Sequence, residues 1–191
     1  MSIEPHAHEV QSAFRQDASR YGVAPAGGFM AVLAATAVNP GLFATGLFRV
    51  GGWAHARGLH PIAKLVRVIV LAISGADIIP GCRIGPGLKM HHPTGVVVGA
   101  GVVIGRGCTL MQNVTLGEKY ADGRPPHAYP TLEDAVVVGA GACVLGGVTV
   151  GRGATVAANA VVTQDVPIGV TVAGAPARIV RQADGPPSDN A

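Results

Sequence analysis

Residues 77–117 read DIIPGCRIGPGLKMHHPTGVVVGAGVVIGRGCTLMQNVTLG, and residues 136–167 read VVVGAGACVLGGVTVGRGATVAANAVVTQDVP. In both, an aliphatic residue recurs every six positions. Ile78, Ile84 and Met90 set one register; after a two-residue slip at Val96–Val97 it runs through Val98, Ile104, Leu110 and Leu116, and later through Val138, Val144, Val150, Val156 and Val162. Gly or Ala often follows the aliphatic, and a small or β-branched residue sits four places after it in most units, as at Cys82, Val102, Ala142 and Ala154. Repetition at a fixed short period is the signature of a solenoid. Here each unit supplies one short strand and one tight corner, the aliphatics stack at the ~4.8 Å spacing of neighbouring strands, and glycine permits the corner angles. The fold class expected is mainly β, a parallel β-helix of hexapeptide repeats with a short N-terminal α-helical region.

Outward from this core, the period changes. From His8 to about Ser74 the apolar pattern is helical, broken at Gly27–Gly28, at Asn39–Pro40–Gly41 and at Gly58 with Pro61, which predicts three or four helices. Phe43, Leu47, Val50 and Ala54 mark one apolar face and Leu65, Val68 and Ala72 another, so the region is expected to dock on something. Between Leu116 and Val138 the run GEKYADGRPPHAYPTLEDAV is polar and proline-rich, and is expected to loop out of the stack. The domain reading is therefore a helical region over 1–75, a hexapeptide-repeat domain over 76–182 with a protruding loop at about 117–137, and a disordered tail over 183–191.

Composition narrows the function. Of 191 residues 49% are hydrophobic, 13% charged and 4% aromatic, which suits a narrow interior filled by small and β-branched side chains and excludes a charge-solvated disordered chain. The net charge of +3 comes without any Lys/Arg run, so no nucleic-acid partner is expected. Cys82, Cys108 and Cys143 form no C-x-x-C pair, which points to reduced thiols in a cytoplasmic protein. The N-terminus lacks the pattern of a secretory signal. The apolar run IAKLVRVIVLAIS is too short to span a membrane and carries Lys64 and Arg67.

The two quoted runs, together with VAGAPARIV at 172–180, resemble serine acetyltransferase, a hexapeptide-repeat acyltransferase family with a left-handed parallel β-helix. The resemblance covers about residues 77–180, and its specific part is the D-I-x-P start with H-x-T-G fifteen residues on. It implies that His92 is the catalytic histidine and Asp77 the aspartate supporting it. The chemistry is coherent on its own terms. Acetyl transfer from a thioester to an alcohol needs a base for the hydroxyl proton, a role for which an imidazole of reference pKa ~6.5 is suited, and a carboxylate on its other nitrogen fixes the tautomer and stabilises the imidazolium.

The resemblance further implies acetyl-CoA as the acetyl donor, held in a groove between subunits of a homotrimer through Gly117, Ala140, Ala158 and Arg178, with no metal. A hexamer of two trimers is the alternative assembly. The acceptor half departs from the family pattern: His91 stands where an Asp is expected to meet the ammonium of serine, Ala128–Tyr129 replaces an Arg-His pair expected to hold its carboxylate, and Glu118 replaces a second Gly. His91, Arg124, His127 and Tyr129 are the acceptor-binding candidates. The first expectation is L-serine to O-acetyl-L-serine, the cysteine-biosynthesis reaction; the alternative is another small hydroxyl acceptor, a modified amino acid or a sugar. A γ-type carbonic anhydrase shares this β-helix but holds zinc with three histidines; His91 and His127 fit two positions and Leu132 occupies the third. A non-catalytic β-helix is the remaining reading. The tail ends in Asn190–Ala191 rather than the terminal Ile that docks into a sulfhydrylase, so that partnership is not expected.

Overall fold

A computed structural model describes residues 7–23, 34–120 and 128–182. Its body is a three-faced prism of parallel strands. The first face stacks Asp77–Ile78, Val97–Val98, Thr115–Gly117, Cys143–Leu145 and Val161–Val162; the second Arg83–Ile84, Val103–Ile104, Thr131–Leu132 and Thr149–Val150. The third stacks Lys89–Met90, Thr109–Leu110, Val137–Val138, Thr155–Val156 and Thr171–Ala173, and Arg178–Arg181 closes it antiparallel. This is the β-helix that the six-residue period predicts. Rungs pair in register, as in Ile78↔Val98↔Leu116↔Val144↔Val162, so each aliphatic of the repeat lies on its counterpart in the next coil. These residues are buried, Ile84 partly so, and each contributes about 1.5 to 3 kcal/mol of apolar burial.

One rung differs from expectation. Thr131–Leu132 pairs with Val103–Ile104 and Thr149–Val150, and Leu132 is fully in the core. The stack therefore breaks off at Gly117 and resumes at Thr131, and the break falls at the edge between the first and second faces, here the loop edge.

The edge between the third and first faces explains a sequence alternation. Gly95, Asn113, Gly141 and Asn159 occupy successive coils there, all with positive φ. A Cβ on Gly95 would run into the Asn113 amide and one on Gly141 into that of Asn159, so the larger residue is accommodated only above a glycine.

The helical region is α1 (Ala7–Ser19), α2 (Pro40–Ala56) and α3 (His60–Ser74), with residues 34–38 also helical. Breaks fall at Asn39 and at the turn through Gly58, as expected; Gly27–Gly28 lies outside the described residues. The buried faces are those expected only in part: Ala54 is buried and Leu47 packs against the core. In α2, Gly41, Ala44, Thr45, Phe48 and Arg49 turn inward while Val50 is exposed. In α3, Ala63, Val70 and Ser74 are buried while Leu65 and Val68 are 60% and 59% exposed. An α3 apolar on nearly every side carries no periodicity to mark its inner stripe.

What the helices dock on is the open end of the prism. The first coil has no coil before it, so its backbone groups on that side need other partners. Asp17 accepts from the N–H groups of Gly87 (2.8 Å) and Leu88 (2.9 Å), and Arg49 donates to the carbonyls of Ile84 and Gly85 while pairing with Asp17 at 3.0 Å. The Tyr21 hydroxyl accepts from Met90 N–H (2.8 Å) and donates to Met90 C=O (2.9 Å). Burial pushes that hydroxyl up to about 12, so it stays protonated and fills both roles. Among the described residues no helix is long and apolar enough to cross a membrane.

Candidate active site

The two-residue slip has a structural counterpart. From Ile78 to Leu116 and again from Leu132 to Val162 the step from one core aliphatic to the next is six residues, except from Met90 to Val98, where it is eight. The extra residues widen the corner between the third and first faces, and His91 and His92 stand on it, both exposed, with ring centroids 6.3 Å apart. Pro93 is buried beneath them and the His91 N–H donates to the Leu110 carbonyl at 3.1 Å, so the corner is anchored on both sides. Tyr21 braces Met90 immediately before the pair. The pKa of His91 is lowered, first by partial desolvation and then by Lys89, His92 and Arg20, so its ring is neutral near pH 7.

Asp77 opens the first rung of the first face, whose neighbour Val97 follows the histidine corner. Its carboxylate is gripped by the Arg67 guanidinium of α3, Nε to Oδ1 at 2.5 Å and Nη2 to Oδ2 at 2.7 Å. A hydrogen bond from His92 to Asp77 is not among the contacts of the described residues. Arg67 is the residue sequence reasoning missed. Its signal was an arginine in the middle of a largely apolar helix, ten residues before Asp77.

The remaining candidates divide between two edges. Ala140 and Ala158 lie on the histidine edge one coil apart, and the Asn159 N–H donates to the Ala140 carbonyl at 2.8 Å. A Cβ on the neighbouring Gly139 would approach Ala158 N to 2.6 Å, so backbone meets backbone there. Arg178 begins the closing strand at the C-terminal end, exposed. Gly117 and Tyr129 sit on the loop edge, where the excursion leaves and returns. The Tyr129 ring covers Gly99 and Gly101, and its hydroxyl bonds Glu118, which is the main cause of its raised pKa. Arg124 and His127 lie outside the described residues. Gln112, in the coil after the histidine corner, has a buried Oε1 without a hydrogen-bond partner among the described residues. No group of three potential metal ligands occurs among the described residues.

The family model described as bacterial transferase hexapeptide (six repeats) matches residues 129–164. The serine acetyltransferase of Helicobacter pylori (strain J99) is 41% identical over 143 residues, 74% of this chain and 81% of that protein. The serine acetyltransferase of Escherichia coli (strain K12) is 40% identical over 144 residues, 75% of this chain and 52% of that protein. The chain thus spans about half the length of the first relatives it matches. The crystal structure of serine acetyltransferase from Brucella abortus strain S19 in complex with coenzyme A superposes with a TM-score of 0.82 at 32% identity, covering 94% of this chain and 71% of that one.

Proposed function

Because the chain belongs to the serine acetyltransferase family of left-handed β-helix acyltransferases, we propose that it transfers the acetyl group of acetyl-CoA to the hydroxyl of L-serine, giving O-acetyl-L-serine and free CoA. The observation that carries this reading is the widened histidine corner, with the carboxylate of Asp77 fixed on the adjoining rung. His92 takes the serine hydroxyl proton as the oxygen attacks the thioester carbonyl. Asp77 stabilises the imidazolium, which then returns the proton to the departing thiolate. Ala140 and Ala158 line the histidine edge for the pantetheine arm, and Arg178 meets phosphate. The three free cysteines suit a reducing, cytoplasmic setting.

The active unit is a trimer. His92, Ala140 and Ala158 occupy one edge while Gly117 and Tyr129 occupy another, and the whole first face, on the order of 15–20 Å at ~3.3 Å per residue, separates them. Only the loop edge of a second copy can bring both halves together, and a closed ring of three satisfies every edge. The exposed Leu65, Val68 and Ile73 of α3 also fit burial in an assembly. Sedimentation at micromolar concentration is expected to give a trimer; a monomer that is fully active contradicts this.

A second acceptor reading is favoured by His91. A neutral imidazole accepts one hydrogen bond from an ammonium but lacks the charge of a carboxylate, a class of bond worth ~1.5 to 3 kcal/mol. His91→Asp is therefore expected to raise kcat/KM for serine about 10- to 100-fold. In the native enzyme serine binding should weaken as pH falls and His91 becomes a cation. Acceptors without a free amine escape both effects. Native kcat/KM for serine equal to that of His91→Asp would show that another group holds the ammonium.

A further inference from the structure

We infer that Arg67 is a positioning residue for acetyl transfer, acting through Asp77 to set the orientation and strength of the His92 base. This rests on the proposed roles of His92 and Asp77 and goes beyond them. The pair is bidentate, at 2.5 and 2.7 Å, with side chains 35% and 23% exposed, so it stands at the surface of the site and not in the core. A surface ion pair between two long side chains is usually worth little to stability. The location is what matters: Arg67 reaches out of α3 to the one carboxylate on the rung beside the histidine corner.

An ionised carboxylate accepts at about four lone-pair sites, and the guanidinium fork uses one on each oxygen. The other two remain for an imidazole N–H. The fork fixes the carboxylate plane, and with it the direction in which those two remaining sites point. It also partly neutralises the carboxylate charge that stands beside the histidine corner. The other charged groups around the corner are Lys89 on the strand just before it, His91 beside His92, and Arg20 in the turn after α1. All are cations or neutral, which leaves the Arg67–Asp77 pair as the element that sets the balance.

The test is Arg67→Gln in the full chain, with the pH dependence of kcat/KM as the readout. Loss of the fork is expected to lower kcat about 10- to 100-fold with little change in KM for acetyl-CoA. Removing the cation leaves the Asp77 charge uncompensated, so the imidazolium is favoured. The acidic limb of the profile should move to higher pH by about half a unit to one unit. In an Asp77→Asn background the same substitution should add nothing, since its route is gone. If Arg67→Gln fails to fold, Arg67→Lys is expected to lower kcat while leaving the acidic limb in place, because charge is kept and the fork is lost. A native rate and profile in Arg67→Gln, or an undiminished effect in the Asp77→Asn background, overturns the inference. Full activity in His92→Ala and Asp77→Asn would instead overturn the reading of the site on which it rests.

Discussion

His92→Ala is expected to lower acetyl transfer by about 10²- to 10⁴-fold, the range of general-base contributions, while leaving acetyl-CoA affinity nearly unchanged. The separation of the two effects follows from place. His92 is exposed on the widened corner after Met90, whereas the residues assigned to the donor, Ala140 and Ala158, lie farther along the same edge and present backbone groups. The base acts on the acceptor hydroxyl, so its removal touches the transition state and not the bound thioester. Asp77→Asn should cost less, because the base itself remains. Steady-state turnover together with a direct titration of CoA checks both statements. A variant that loses donor binding in proportion to rate would make the histidine a part of the CoA groove.

Arg49→Ala is expected to destabilise the fold by about 3 to 5 kcal/mol, the cost of breaking a buried ion pair from one side. Asp17 is fully buried and Arg49 is 8% exposed. Once the guanidinium is gone, the Asp17 charge keeps its bonds to Gly87 and Leu88 but loses its counter-ion, and the carbonyls of Ile84 and Gly85 lose their donor. Because net stability of ordinary domains is about 5 to 15 kcal/mol, this loss is a large part of the whole. Urea denaturation followed by circular dichroism measures it. A midpoint close to that of the native chain would mean that the first coil holds itself closed without the helices.

The two predictions mark the two levels at which the chain encodes its function. The prism was legible because each rung repeats one instruction, an inward aliphatic and a corner; the slip at Val96–Val97 read only as a change of register, and the structure turns it into a widened corner. That corner carries His91 and His92. Leu132 was not legible as a rung, since Pro130 before it and Glu133–Asp134 after it read as loop, and only pairing with Ile104 and Val150 reveals its place. The inner face of α3 was hidden by its uniform apolarity, and that of α2 by the arginine that turns inward there. Contacts such as Arg49 with the carbonyls of Ile84 and Gly85, Asp17 with the N–H groups of Gly87 and Leu88, and Tyr21 with Met90 join the N-terminal region to a coil. No local pattern announces them, because they exist to satisfy groups that only the closed coil creates.

The central claim is that this β-helix moves an acetyl group from acetyl-CoA to the hydroxyl of serine. The most direct measurement incubates the purified chain with acetyl-CoA and L-serine near neutral pH, follows release of the CoA thiol, and identifies the product by mass spectrometry. The account predicts O-acetylserine formed in step with free thiol, and neither product from the His92→Ala chain. Thiol release without acetylated serine, or equal O-acetylserine formation by His92→Ala, would contradict it.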